Sequence, residues 1–233
     1  MSMKISHAVL VAMASLVLAS CGGLNIGPPP AGQLYVLRPA TTPPADAPVA
    51  QWQLAVALPD APESLDTDRI ALIRTQSVMD YYANSTWMDH TTQLVQSLLV
   101  EAFEKSGKIN AVARETEGLR SDYILQTDIR DFEAQYDVQD GIPRVIVRIS
   151  ARLVNIPQRN VVSIITVTHE ATASANSVPA VVAAFNTATG AALNEIVGWA
   201  LRAPALPQAN VDQIGADKAD QPVSHRRRRH HHR

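Results

Sequence analysis

Between Arg144 and Val154 the chain alternates so regularly that it dictates a half-covered β-strand. Val145, Val147, Ile149, Ala151 and Leu153 fall on one side, and Arg144, Arg148, Ser150 and Arg152 on the other. A period of two residues places successive side chains on opposite faces of a sheet, so one face is covered and the other wet. "NIPQRN" (155–160) is a turn, and "VVSIITVTHEATAS" (161–174) returns as a second β-branched strand. Two long strands with one covered face suit an antiparallel sheet. The rest of the chain must supply the cover.

Two segments carry the helical period instead. In "TWMDHTTQLVQSLLVEAFEKSGK" (86–108), Trp87, Leu94, Leu98 and Ala102 repeat on one face, with Val95, Leu99 and Phe103 beside them. Thr86 and Asp89 have the spacing of a capping box. Lys105 sits where the helix dipole favours a cation, and Gly107 can take the left-handed stop. A second helix starts at Ser177 and Pro179 and runs to about Leu201, with Val182, Phe185, Ala192, Leu193, Ile196 and Trp199 on its apolar side. "QLYVLR", "QWQLAVALP", "INAVARE" and "SDYILQTDIRDFEAQYD" read as further strands, and "RIALIRT" with "SVMDYY" as an antiparallel pair. This order predicts an α+β fold. An antiparallel or mixed β-sheet carries two main helices on one face, in a single domain.

The solitary cysteine lies outside that domain. Residues 1–7 carry Lys4, and "AVLVAMASLVLA" (8–19) follows without a charge. A basic start and a short apolar core describe a secretory signal, and the run is too short to cross a bilayer. Leu18, Ala19, Ser20 and Cys21 resemble the lipobox of bacterial lipoproteins, which implies acylation of Cys21 and removal of residues 1–20. Gly22 stands where lipoproteins kept at the inner membrane commonly show Asp, so the resemblance favours the periplasmic face of the outer membrane. Residues 21–32 then form a lipid-anchored flexible tether. Its "GGLNIGPPPAG" would reach about 36–40 Å fully extended. With no second cysteine there is no disulfide, so the globular part, residues 33–202, stands on its core. "PATTPPADAPVA" (39–50) reads as a surface loop, and 203–233 as a solvated tail ending in an Arg/His tract.

Charge and motif content narrow the function. Between Gly22 and His225 fourteen basic residues face twenty-two acidic ones, a net −8. That balance argues against nucleic acid, whose phosphates call for a basic surface. The sequence lacks G-x-S-x-G, H-E-x-x-H, C-x-x-C and a phosphate-cradling glycine loop. Only His90 and His169 lie in the globular body, the first beside Asp89 and the second in register with Ile165 and Val167. Asp128, Asp131 and Glu133, with Arg130 between them, are expected to pair across strands with Arg148 or Arg152. The expectation is a binding part rather than an enzyme, with no catalytic residue, metal or cofactor.

"LAVALPDAPESLDTDRIALIRTQSVMDYYANSTWMDHTTQLVQSLLVEAF" (54–103) resembles the ABC-type transport auxiliary lipoprotein family, which includes the paraquat-inducible protein C type. The shared features are an opening "YVL" (35–37), then "LDTDRIALIR", the Tyr81–Tyr82 pair, Trp87 and a Leu/Gln-rich helix. The resemblance spans roughly residues 33–200. It implies an accessory component of a transporter for lipids or other hydrophobic molecules. Its partners would be a periplasmic protein of the mammalian-cell-entry type with a permease and an ATPase. The alternative is an envelope assembly lipoprotein that binds lipopolysaccharide or cell-wall polymer. Tyr81, Tyr82, Trp87, Arg144, Arg148 and Arg152 are the candidate contacts with partner or lipid, because aromatics suit half-wet interfaces and the arginines form a positive stripe. Exposed strand edges leave a homo-oligomer open.

Overall fold

The computed structural model describes residues 32–42, 44–74 and 78–203. Leu18, Ala19, Ser20, Cys21, most of the tether and the Arg/His tract therefore lie outside the described residues. The chain divides after Gln33 into two units, and the second carries all of the architecture below but the first residue of its first strand.

Its elements run β1 (Gln33–Tyr35), β2 (Ala50–Val56), β3 (Arg69–Arg74), β4 (Val78–Trp87), α1 (Thr91–Ser106), β5 (Ile109–Arg114), β6 (Tyr123–Tyr136), β7 (Arg144–Asn155), β8 (Asn160–Thr172) and α2 (Val178–Arg202). All eight strands belong to one mixed sheet, and the fold is α+β as expected. β6 is its axis. One edge of β6 pairs antiparallel with β7, which pairs in turn with β8. The other edge is shared by two short strands laid end to end. β2 joins Tyr123–Leu125 in parallel, and β3 joins Ala134–Tyr136 in parallel. Asp60 bridges the interval, its amide donating to the Thr127 carbonyl at 2.9 Å and its carbonyl accepting from the Ile129 amide at 2.8 Å. β5 extends the sheet beside β2, and β4 with β1 extends it beside β3.

A register shift at Arg130 separates the pairs Ile129–Ile149 and Asp131–Arg148. The extra residue is a β-bulge, and it reverses the parity of β6. Leu125, Thr127 and Ile129 are buried before it, and Phe132, Ala134 and Tyr136 after it. Both sets join Val145, Val147, Ile149, Ala151 and Leu153 of β7 in the core. α2 covers β7 and β8, α1 lies along β5 and β2, and the helices touch one another. α2 is apolar and long enough to cross a membrane, with a mean hydropathy of 1.2, yet 61% of that window is buried. It is a core helix here.

The start of α1 corrects the expected capping box. Thr86 is a strand residue paired with Arg69, and His90 occupies the cap position without a side-chain bond. The Trp87 amide donates to the Asp68 carbonyl at 2.6 Å and the Thr91 amide to the Thr67 carbonyl at 3.1 Å. These bonds hold the segment to the preceding loop, so the first helical amide, that of Thr91, finds its partner there. The other end follows expectation, with Gly107 at φ 60° and Lys105 in the last turn.

The proline-rich stretch is a strap rather than a loose loop. The Arg38 amide donates to Asn186 Oδ1 at 2.6 Å and the Thr42 amide to Asn194 Oδ1 at 2.8 Å. Between and beyond these, a Cβ on Gly190 would stand 2.7 Å from the Ala40 carbonyl oxygen, and one on Gly198 2.8 Å from Pro44 Cγ. Two residues of extended chain advance about 6.2 Å and four helical residues about 6.0 Å. Steps of two along the strap therefore keep pace with steps of four along α2. Gly190→Val would drive a side chain into the strap's backbone. We expect it to lower the stability of the fold by about 1–3 kcal/mol in chemical denaturation, through overpacking.

Candidate interaction surface

The six contact candidates separate once their surroundings are known. Trp87 is 1% exposed. Its ring meets Phe185 of α2 edge-on at 5.1 Å and Phe132 of β6 at 6.4 Å, and Phe132 and Phe185 lie 5.0 Å apart. This cluster joins the end of β4 to the sheet and to α2, so Trp87 is a core residue and unavailable to a partner. Its sequence position at the head of an amphipathic helix resembles that of an interfacial aromatic. Only the continuation of β4 reveals which way it turns.

Tyr81 and Tyr82 are half-buried and already engaged. The Tyr81 hydroxyl donates to the Ser64 carbonyl at 2.9 Å, and the Arg69 guanidinium lies 3.7 Å over its ring. The hydroxyls of Tyr82 and Tyr136 lie 2.9 Å apart, and Tyr136 donates to Asn176 Oδ1 at 2.8 Å. Asn176 donates to the Asp140 carbonyl at 3.2 Å, which closes a chain from β4 through β6 to the β6–β7 turn. Burial, and then the bond to Tyr136, push the Tyr82 phenol well above its ordinary range. It stays neutral and acts as a strut.

The arginine stripe is real as a placement but not as a charge. Arg144 Nη1 pairs with Glu170 Oε2 at 3.0 Å, and its other terminal nitrogen lies 3.8 Å from Asp137. Arg148 pairs with Asp131 across the bulge. Such bridges stabilise little at a surface, yet they cancel charge. Arg152 alone of the three makes no ion pair among the described residues. It stands exposed on the open face of the sheet, opposite Gln126 and Ile164 on the neighbouring strands. With Arg130, Ser150 and Asp128 these residues line a groove of about 200 Å³. Arg130 is held by Asp128 at 3.3 Å.

A second groove of about 290 Å³ opens at the end of the sheet where β3 meets β6, lined by Arg74, Val78, Tyr136, Gln139 and Asp140. Exposed Met79, Val138 and Ile142 lie at the same end. Sequence reasoning missed this place, since these residues read as ordinary strand and turn positions. Their signal is an apolar pair set in a charged turn, "DVQDGIPR".

His90 and His169 are placed apart. His169 Nε2 lies 2.6 Å from Glu195 Oε2 of α2, and His90 Nδ1 lies 3.5 Å from Asp66 rather than against Asp89. Among the described residues no three His, Cys, Asp or Glu side chains converge for a metal.

Among the described residues Glu133 is the one buried carboxylate. It is 1% exposed, accepts the Phe132 amide at 2.6 Å and a Gln135 amide proton at 3.1 Å, and makes no direct ion pair among the described residues. It departs from the cross-strand pairing expected for it because the register sets Asp131 opposite Arg148 and Glu133 opposite Ile146. Burial raises its pKa above the usual carboxylate value. A raised folded-state pKa means that the folded chain holds the proton more tightly. The stability tied to that proton is full below the unfolded pKa and is lost as pH rises through the folded one. Glu133→Gln should remove this loss. Its denaturation midpoint, relative to the parent chain, should climb as pH rises from below about 4 into the neutral range.

Over residues 35–197 the chain matches the ABC-type transport auxiliary lipoprotein component family. It belongs to that family. The family is one of lipoprotein components auxiliary to ABC-type transport, which implies a place at a membrane of the cell envelope. An uncharacterized protein of Bradyrhizobium diazoefficiens, bll6063, is 32% identical over 189 residues; these are 80% of this chain and half of that relative's length. A solved structure of protein XCC0632 from Xanthomonas campestris superposes with a TM-score of 0.70 at 34% identity. The match covers 74% of this chain and 97% of that one. Another solved, uncharacterized protein shares the fold at a TM-score of 0.55 and 15% identity, over 71% of this chain and 97% of that one.

Proposed function

We propose that this lipoprotein serves a lipid-moving transporter of the mammalian-cell-entry kind, held at the periplasmic face of the outer membrane by an acylated Cys21. In this reading it grips the periplasmic shuttle and makes or breaks no bonds. The observation that carries the reading is the family match across nearly the whole described domain. The lipobox pattern of Leu18 to Cys21 supports the anchor, since two or three acyl chains attach a protein stably where one does so only reversibly. Arg152 supports the grip. In an acidic body it is a cation without an ion-pair partner among the described residues, exposed on the open sheet face, and such a charge steers and orients a partner of opposite sign.

Two measurements test this. Affinity purification of the tagged full chain from detergent-solubilised envelopes should retain the mammalian-cell-entry-type protein, and Arg152→Glu should weaken that retention by about 1 kcal/mol, roughly fivefold. Retention of no such protein by the parent chain overturns the assignment. Cys21→Ala should move the chain from the outer-membrane fraction to the soluble periplasm or leave its signal uncleaved. A variant that still fractionates with the outer membrane, processed, overturns the anchor.

A further inference from the structure

The chain enters the domain through a short segment whose side chains alternate in and out. Leu37 is 4% exposed, Pro39 is buried, and Tyr35 packs against the core. The residues between them face outward. Leu34 is 62% exposed and Val36 39%, and the Arg38 side chain is exposed as well. Arg38 makes no ion pair among the described residues, while its backbone amide is fixed to Asn186 of α2. Val36 and Arg38 also line a groove of about 370 Å³ with Leu37, Pro39, and Glu101 and Lys105 of α1. Glu101 and Lys105 pair with one another along the helix. The corner thus presents two apolar side chains and a cation, on a backbone held in place by the buried residues between them.

We propose that this corner is the face by which the domain rests on the lipid bilayer. Leu34 and Val36 enter the boundary between headgroups and acyl chains, and Arg38 binds a lipid phosphate. This contact rests on the acylation of Cys21 proposed above. Eleven residues separate Cys21 from Gln33, a reach of about 40 Å at full extension. Residues next to the end of such a tether meet the membrane at a higher effective concentration than any remote face. Chemistry agrees with position. Apolar side chains add to the area that binds a surface segment to lipid, and a cation at headgroup depth gains from phosphate. Arginine matches phosphate bidentately, with its apolar stem lying along the same boundary. Residues 22–225 carry a net −8, so a cation left without a carboxylate partner beside two exposed apolar residues is complementary to lipid phosphates. The exposed apolar end at Val138 and Ile142 offers the opposite. Asp137 and Asp140, both exposed, lie in the same turn and repel phosphate.

The full acylated chain, reconstituted in vesicles of phosphatidylethanolamine and phosphatidylglycerol, provides the test. Cys21 is the single cysteine and its sulfur carries the lipid, so a cysteine placed elsewhere is the one free thiol for a nitroxide label. A label at Leu34→Cys should collide more with oxygen, which concentrates in lipid, than with a water-soluble nickel chelate. A label at Val138→Cys should show the reverse. Adding Arg38→Glu to Leu34→Cys should cut the lipid-exposed fraction of the label about fivefold. The Arg38 side chain bonds nothing among the described residues, and a matched melting temperature shows that the fold survives its replacement. Exchanging all phospholipid for a phosphate-free glycolipid should abolish the effect of Arg38→Glu. With the chain floating on the vesicles, several results overturn the proposal: a Leu34→Cys label that stays in water, a Val138→Cys label that enters instead, or an Arg38→Glu effect that is absent or persists without phosphate. A chain that does not float with the vesicles overturns the anchor, and this contact with it. The assay contains no transporter component, so loss of the partner proposed above would leave these outcomes unchanged.

Discussion

β6 is the member on which the architecture depends, because three separate parts of the sheet meet only along its edges. The β7–β8 arm holds one edge, and the other is divided between the β2–β5 and β3–β4 arms. Fourteen residues of strand span about 46 Å, enough for two short partners in tandem with Asp60 closing the gap between them. This arrangement lets a chain of modest size build one broad sheet without a long crossover at every step. It also explains why the bulge at Arg130 matters. The helix-facing positions differ in parity on the two sides of it, and only the bulge lets both halves turn their apolar residues toward the same pair of helices.

The chain announces some of this and conceals the rest for identifiable reasons. The β7–β8 pair and both helical faces were legible because each follows one period over most of its length. Thus Val145 to Leu153, and Leu94 to Phe103, are buried as their spacing demands. β6 hides its bulge, since Leu125, Thr127 and Ile129 obey one parity and Phe132, Ala134 and Tyr136 the other. The parallel docking of β2 and β3 is a long-range choice that no local pattern encodes. The capping box failed because Thr86 and Asp89 have the right spacing in the wrong conformation: the ladder runs on to Trp87 and the helix waits until Thr91.

The candidate surface was partly legible for a similar reason. Alternation places Arg144, Arg148 and Arg152 on the open face, but their charge is set by neighbours on β6 and β8. Glu170 and Asp131 neutralise two, and only Arg152 keeps its charge unopposed. Aromatic residues proved harder to place than charged ones. Trp87 and the two tyrosines have equal claims to an interface in sequence. Packing assigns Trp87 to the core beside Phe185 and ties both hydroxyls to internal acceptors.

The strap along α2 behaves like a vernier, in which two scales of different pitch come back into coincidence at regular marks. Asn186, Gly190, Asn194 and Gly198 are the marks on the helix, and Arg38, Ala40, Thr42 and Pro44 those on the strap. Such a device tolerates wide change in the side chains between marks but none in the number of residues. One residue inserted near Thr41 would throw every later coincidence half a step out, setting a carbonyl where an amide is needed. The segment is thus free in composition and fixed in length, the reverse of what a proline-rich connector ordinarily signifies.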